Sequence, residues 1–324
     1  MKNIKWGIIG CGDVTEVKSG PAFNKVPNSS LVAVMRRDAA KAKDYAFRHG
    51  VPKWYDNAAQ LINDPEVNAV YIATPPLQHE EYTLLSLLAG KPVYVEKPMT
   101  LNADAAYRMQ NAAIRSNVKL SVAHYRRAQP MFLKIKELLL NNVIGDVRFV
   151  SLQMLQPSVP SEGNWRVNPA ISGGGLFHDL APHQLDLMIY FFGKARSATG
   201  IARNQAKMYA ADDLVAGNVL FENGVVFNGI WCFSVAAAEK SDICEITGSL
   251  GKISFPVFGH AFTLSKNGKE EVFAFDPLQH VQQPMIEQVT AYFLGEGPNP
   301  CSAEQAILSM QLMDSFTKKD RVIF

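Results

Sequence analysis

The chain has 324 residues, of which 48% are hydrophobic and 19% are charged, and its formal net charge is +2. This length is too great for one typical hydrophobic core, so we expect two domains in a globular protein. The nearly balanced charge does not favour nucleic acid or a membrane surface as a partner, and no apolar stretch reaches the roughly 20 residues that span a bilayer.

The first 123 residues alternate between short apolar runs and segments with helical patterns. The apolar runs predict strands at residues 4–12, 31–37, 68–76, 91–98 and 119–125. Between them, the segment 38–50 predicts a helix with Asp38 as its N-cap and Gly50 as its C-cap. Apolar runs without alternation, separated by helices, are typical of a parallel sheet that is covered on both faces. We therefore predict an α/β domain in this part of the chain.

The pattern changes near residues 122–126, where we place the domain boundary. A glycine-rich loop over 171–179 precedes a predicted helix over 180–193. Further along, Asn223-Gly224 lies between two apolar runs, which is a strong signal for a hairpin. These features predict a second domain with a mostly antiparallel sheet.

Two glycines at the end of the first strand form part of a dinucleotide-binding pattern. Gly10 would allow a tight turn, and Gly12 would let a pyrophosphate approach the backbone. The following residues, Asp13 and Val14, would begin a helix whose N-terminus faces the anion. The third glycine of the pattern is replaced by Thr15. An ordinary strand-to-loop turn is the alternative interpretation.

The end of the second predicted strand bears on the identity of the dinucleotide. NAD-binding proteins usually carry an acidic residue there for the ribose hydroxyls, whereas this chain has Arg36 and Arg37. A guanidinium group can bind a 2′-phosphate that an acidic side chain would repel. The sequence therefore favours NADP over NAD. Asp38 could still bind a ribose, and the arginines could instead belong to a solvated helix start.

Four segments together identify a family resemblance: GIIGCG at residues 7–12, IATPP at 72–76 with His79 after it, VEKP at 95–98, and the glycine-rich loop followed by Asp179 and His183. Over nearly the whole chain, the sequence resembles the Gfo/Idh/MocA family of oxidoreductases. The resemblance implies a Rossmann domain over 1–123 and a C-terminal α+β domain over 124–324 with a large, open, mostly antiparallel sheet. It also implies a homodimer or homotetramer formed through that sheet.

The resemblance further implies a nicotinamide cofactor and a small polyol or carbonyl substrate, such as a sugar, a cyclitol or a diol. It assigns catalytic roles to Lys97, Asp179 and His183. It places six further residues at the cofactor: Thr74, Pro75, His79, Glu96, Trp165 and Arg166.

Three other side chains are candidates for binding the substrate. Tyr125 and Arg126 lie at the domain boundary, where they could contact polyol hydroxyls or a carboxylate, and a structural role is the alternative. The third candidate is His178. With Asp179 and His183 it could instead ligate a metal ion, but the chemistry of the family requires none, and we predict no metal.

These residue types suit the oxidation of an alcohol or the reduction of a carbonyl. Lys97 follows a strand that Pro98 terminates, and its cation would stabilise alkoxide charge on the reacting oxygen. An ion pair with Glu96 is the alternative. An imidazole ordinarily titrates near neutrality, as a general acid or base requires, which makes His183 the candidate for this role; a structural core histidine is the alternative. Asp179 lies four residues earlier, on the same helical face.

We therefore predict an oxidoreductase that transfers a hydride to or from a carbon of its substrate. A glycosidase that oxidises its substrate transiently and then eliminates the aglycone is the alternative. A regulator that senses nucleotides without catalysis would be expected to lack Lys97 or His183, and both are present. The four cysteines are scattered, without a C-x-x-C pair, which fits a cytoplasmic location. The N-terminus lacks the pattern of a signal peptide.

Overall fold

The computed structural model describes residues 2–317, which form two compact units. The first unit contains the described residues up to Ala128 together with Leu278–Ile307, and the second contains Gln129–Pro277 and the described residues from Leu308 to Thr317. The predicted first domain, residues 1–123, does not include the segment that returns to it. Within residues 2–317, every helix is too short or too polar to span a membrane.

The first unit is built on a six-stranded sheet in which neighbouring strands are parallel. Its strands are β1 (Ile4–Ile9), β2 (Ser29–Met35), β3 (Lys53–Tyr55), β4 (Ala69–Ile72), β5 (Val93–Val95) and β6 (Leu120–Val122). The helices among them are α1 (Asp13–Val17), α2 (Ala39–His49), α3 (Ala58–Asn63), α4 (His79–Leu88) and α5 (Ala103–Ser116). The order β3-β2-β1-β4-β5-β6 is that of a Rossmann sheet, which binds ligands at the carboxyl ends of its strands, where β1 and β4 meet. The predicted parallel sheet is confirmed.

Burial and capping explain why these segments form these elements. Every residue of β4, β5 and β6 is buried, as their uninterrupted apolar runs predict. At the start of α2, the Asp38 carboxylate accepts a hydrogen bond from the backbone N–H of Lys41 (3.1 Å). At its end, Gly50 adopts a positive φ of 63°. Both predicted caps are confirmed, because capping depends on near neighbours in the sequence.

The second unit contains an eight-stranded sheet. Its strands are β7 (Val147–Leu155), β8 (Ala195–Arg203), β9 (Leu214–Phe221), β10 (Val226–Cys232), β11 (Ser241–Gly248), β12 (Gly251–Phe255), β13 (Ala261–Lys266) and β14 (Lys269–Ala274). Its helices include α6 (Pro130–Leu140), α7 (Pro169–Ser172) and α8 (Leu176–Phe192). The strands are ordered β14-β13-β12-β11-β7-β10-β9-β8. Strands β7 and β10 are parallel, and the other described pairs are antiparallel, which confirms the predicted mostly antiparallel sheet.

Two further helices follow the second sheet, in a part of the chain where no helix is predicted from the sequence. They are α9 (Gln283–Leu294) and α10 (Ala303–Thr317). Helix α9 belongs to the first unit, where Met285 and Val289 join a buried cluster with Trp6 and Phe23. The core of the first unit therefore combines residues from the beginning and from the end of the chain.

Three glycines lie side by side on the buried face of the second sheet. Gly200, Gly217 and Gly229 are register partners on β8, β9 and β10. A Cβ on Gly217 would overlap the buried ring of Phe316, and a Cβ on Gly200 would lie 2.6 Å from the Cα of Phe316. Trp231 packs near the same ring, with 6.0 Å between the two centroids. The missing side chains along this row therefore make room for two aromatic rings.

We predict that Gly217→Ala lowers the free energy of unfolding by about 1–3 kcal/mol, because the fully buried Phe316 ring cannot turn aside. Gly297→Ala is the matched control, since its added Cβ would make an ordinary contact with Ala291 at 3.7 Å. Chemical denaturation measures both variants. An unchanged unfolding midpoint for Gly217→Ala would contradict this account of the packing.

Candidate active site

The glycine turn after β1 is tied to the loops beside it. Gly10 has a φ of +95°, and a Cβ there would lie 2.8 Å from the backbone nitrogen of Thr74. The N–H groups of Gly10 and Cys11 donate to the carbonyl of Met35 at 2.9 and 3.1 Å. Both conformation and space therefore require glycine at position 10.

Gly12 faces open space. An added Cβ would have one neighbour within 4 Å, the carbonyl oxygen of Gly10 at 3.9 Å. Gly12 precedes α1, and the first N–H groups of a helix, here those of Asp13 and Val14, have no acceptor within the helix. An accessible glycine backbone and N–H groups without an acceptor in the helix suit a pyrophosphate. The residues present therefore fit a dinucleotide.

Thr15, which replaces the third glycine of the pattern, is buried. Its hydroxyl donates to the carbonyl of Gly12 (2.8 Å), and its own carbonyl accepts from the hydroxyl of Tyr45 (2.8 Å). The fold accommodates this departure from the pattern, since the hydroxyl and the carbonyl of Thr15 both have hydrogen-bond partners within the first unit.

Of the two arginines at the end of β2, Arg36 lies at the glycine turn. Its Nη1 donates to the carbonyl of Cys11 (3.3 Å), and the guanidinium group carries further donors that could bind an anion. Arg37 is exposed. The Asp38 carboxylate caps α2 and forms an ion pair with Lys41 (3.2 Å). Arg36 is therefore the better placed group for a 2′-phosphate.

A buried carboxylate follows β5. Glu96 Oε1 accepts hydrogen bonds from the hydroxyl of Tyr71 and the side-chain amide of Gln282, both at 2.6 Å. Oε2 accepts from the backbone N–H of Lys97 at 3.1 Å. Burial, together with this carboxylate, raises the pKa of Tyr71 well above its ordinary value, so the phenol remains a donor. Glu96 is 5% exposed and is held by protein groups. We use the word frame for such buried residues, which support the loops of the site.

His79 joins the loops that follow β4 and β5. Its Nδ1 lies 2.9 Å from the carbonyl oxygen of Pro98, and its Nε2 lies 2.7 Å from that of Thr74. The two carbonyls favour the imidazolium, but burial is the larger effect and lowers the pKa of His79 to about 4. The ring is therefore neutral near pH 7 and donates to one carbonyl at a time. With 1% of its surface exposed, His79 also belongs to the frame.

The three loops at this edge of the sheet form a connected series. Gly10 packs on Thr74, and His79 links Thr74 to Pro98, which follows Lys97 through a cis peptide bond. The residues on both sides of Lys97 are buried, whereas Lys97 is partly exposed. Lys97 therefore has accessible surface at a point where the backbone is held by neighbouring loops.

In the second unit, α8 begins earlier than predicted. Gly173 and Gly175 have positive φ values of 91° and 82°, and the helix starts at Leu176 rather than at residue 180. Gly175 offers no side-chain cap, so the sequence carries no signal for this start. Asp179 therefore lies in the first turn, where the helix dipole favours a carboxylate, and His183 follows one turn later.

Of the two residues that the resemblance places at the cofactor from the second unit, Arg166 contacts Asp179 and Trp165 packs against Arg166. Arg166 Nε donates to Asp179 Oδ2 at 3.1 Å, and the guanidinium carbon lies 4.6 Å from the centroid of the Trp165 ring. Because both charged groups are partly exposed, the ion pair contributes little to stability. It does restrict the orientation of the Asp179 carboxylate.

The three side chains predicted to bind substrate are buried. Tyr125 and Arg126 lie in a short 3₁₀-helix of the first unit. His178 lies in α8, so close to Gly174 that a Cβ on that glycine would overlap its ring. Burial lowers the pKa of His178 to about 4, so its ring is neutral near pH 7. Substrate binding by these residues stays a prediction.

Two residues of the frame, Tyr71 and Gln282, are not predicted from the sequence. Tyr71 resembles any other residue of a buried strand, and Gln282 is 186 positions from the carboxylate it contacts, so no local pattern marks either. Within residues 2–317, no group of three His, Cys, Asp or Glu side chains is arranged to hold a metal ion.

Comparisons with protein families match both parts of the chain. Residues 4–124 match the model of the Gfo/Idh/MocA oxidoreductase family, described as an NAD-binding Rossmann fold. Residues 132–254 match the model of the Gfo/Idh/MocA C-terminal domain.

Individual proteins that are similar to this chain are consistent with the family match. A protein of Formosa agariphila, named only as an oxidoreductase, is 50% identical over 97% of this chain and 98% of its own length. The trans-1,2-dihydrobenzene-1,2-diol dehydrogenase of Xenopus laevis is 28% identical over 87% of this chain and 83% of its own. The crystal structure of aldose-aldose oxidoreductase from Caulobacter crescentus, complexed with glycerol, has a TM-score of 0.87 at 20% identity, covering 97% of this chain and 96% of that one. At that identity the likeness establishes the fold alone.

Proposed function

The chain belongs to the Gfo/Idh/MocA family and is a nicotinamide-dependent oxidoreductase, and from this premise we propose that it transfers a hydride to or from a carbon of a sugar, cyclitol or diol. The observation that carries the proposal is the connected series of loops from Gly10 to Pro98, which presents a partly exposed Lys97. The dihydrodiol dehydrogenase among its relatives supports the substrate class.

The residues of the first unit would hold the cofactor at the edge where the strands end. Gly10, Gly12, Asp13 and Val14 would bind the pyrophosphate through their backbone. The loop with Thr74 and Pro75 would lie beside the nicotinamide. The nicotinamide ring, when bound, supplies the acceptor or donor of the hydride.

The side chains of the protein would handle the reacting oxygen and its proton. The ammonium group of Lys97 would donate a hydrogen bond to this oxygen and stabilise the negative charge that develops on it. The imidazole of His183 would take the hydroxyl proton during oxidation and return it during reduction. Asp179, held by Arg166, would hydrogen-bond the substrate or orient His183.

We predict that Lys97→Ala and His183→Ala each lower turnover by more than about 100-fold, because each removes a group that acts on the reacting oxygen. The assay follows the absorbance of reduced nicotinamide with myo-inositol, D-glucose and trans-1,2-dihydrobenzene-1,2-diol, each with NAD and with NADP. Thermal stabilisation by the cofactor should persist in both variants.

The exposed residues Lys43 and His260 provide matched controls, as Lys43→Ala and His260→Ala. A Lys97→Ala protein as active as the wild type would contradict the mechanism. The glycosidase alternative predicts a different result in the same assay: a nitrophenyl glycoside would release its aglycone with no net change in reduced nicotinamide.

We further propose that the enzyme prefers NADP, because Arg36 lies against the glycine turn and Asp38 is engaged in capping α2. Arg36→Ala should weaken NADP binding by about 10- to 100-fold, the range expected for a charge-assisted hydrogen bond to a phosphate. NAD binding should change little. Arg37→Ala is the matched control. Equal losses of NAD and NADP affinity in Arg36→Ala, measured by calorimetry, would contradict this preference.

We also propose that two copies of the chain associate through the open face of the second sheet. Register partners on five adjacent strands place a mostly apolar row on that face: Ile201, Ala216, Ile230, Gln153 and Ile243. Ile201 is 60% exposed in the isolated chain, and covering such a row from water is favourable.

We predict that the wild type sediments as a dimer or tetramer and that Ile230→Lys shifts it towards the monomer, because a charge would be buried in the interface. Val272→Lys on the edge strand β14 is the control, since Val272 is exposed and lies outside the row. A monomeric wild type at micromolar concentration would contradict the proposal.

A further inference from the structure

A short loop between β12 and β13 brings an aromatic ring against His183. The ring of Phe258 lies 5.6 Å from the imidazole, centroid to centroid, with an angle of 87° between the planes. Phe258 itself is partly exposed, whereas His183 is 5% exposed. Phe258 therefore forms part of the boundary between His183 and the surroundings.

The backbone of this loop is anchored by one carboxylate. Asp242, at the start of β11, accepts a hydrogen bond from the N–H of Val257 on Oδ1 (3.0 Å) and from the N–H of Phe258 on Oδ2 (2.7 Å). Two successive amides bound to separate oxygens determine the direction in which the Phe258 side chain leaves the backbone. The side chain of Val257 is fully buried and secures the loop from the other side.

The turn itself leaves little freedom. The N–H of Gly259 donates to the carbonyl of Pro256 (3.3 Å), and a Cβ on Gly259 would overlap the Pro256 ring. The position of Phe258 is therefore a consequence of backbone hydrogen bonding and not of its contact with His183 alone.

We propose that Phe258 is a positioning residue for His183 and that Asp242 acts through Phe258 by anchoring the loop. An imidazole that transfers a proton must present one nitrogen in a defined direction, and a perpendicular aromatic contact favours one orientation of the ring. The proposal rests on the function proposed above for His183.

A test without substrate uses carbon-13 labelling of histidine and NMR, with the His183 resonance identified by its loss in His183→Gln. Phe258→Ala and Asp242→Ala should move this resonance in the same direction, because both remove the ring from its place. Phe273→Ala is the matched control: Phe273 is a partly buried aromatic residue of the same sheet that stacks on Phe262 at 4.7 Å. A His183 resonance that does not move in Asp242→Ala would overturn the anchoring role.

A kinetic test uses the most active alcohol of the panel described above. Phe258→Ala should lower kcat by about two- to tenfold, the range of an aromatic pair contact, with an unchanged KM for the cofactor. Phe258→Tyr keeps the ring and should restore kcat. In a double-mutant cycle, Asp242→Ala should lower kcat only slightly further in the Phe258→Ala background.

Additive losses in that cycle, or full kcat in Phe258→Ala, would overturn the proposal. A failure of the function proposed for His183 would give a different result from a failure of the positioning role. His183→Ala would then remain active, while Phe258→Ala and Asp242→Ala would still move the His183 resonance.

Discussion

The candidate site depends on one buried carboxylate, that of Glu96 at the end of β5. Moving an ionised carboxylate out of water is unfavourable unless hydrogen bonds and nearby charges offset the loss. Glu96 receives these bonds from Tyr71 in β4, from Gln282 and from the backbone N–H of Lys97. Because α9 begins directly after Gln282, the chain must return to the first unit for this charge to be satisfied.

The buried residues that support the loops are therefore different from the residues proposed to act on a substrate. Glu96 and His79 lie inside the protein and hold backbone loops, whereas Lys97, in the same turn as Glu96, has part of its surface accessible. In the second unit, a buried polar contact likewise holds a loop, since Asp242 accepts hydrogen bonds from the backbone of the loop that carries Phe258. The groups proposed to act on a substrate need fixed positions, and buried polar contacts hold the loops beside them.

Several features could be predicted because their causes lie within a few residues. Asp38 and Gly50 cap α2 through local geometry, and Asn223-Gly224 joins two strands for the same reason. The start of α8 was mispredicted because Gly175, its N-cap residue, has no side chain that could signal a cap. The packing of Phe316 on Gly217 could not be predicted, because it depends on the register of the strands and on a helix residue far away in the sequence that belongs to the same unit.

By itself the sequence determined the parallel sheet, the glycine turn, the family and the residue types available for chemistry, because burial patterns and motifs are properties of neighbouring residues. Which of these residues are buried supports and which have accessible surface follows from tertiary contacts. The tertiary structure assigned His79 and Glu96 to the interior, brought Gln282 to Glu96, and set Phe258 against His183. These contacts join segments far apart in the chain, and long-range packing, not local propensity, determines them.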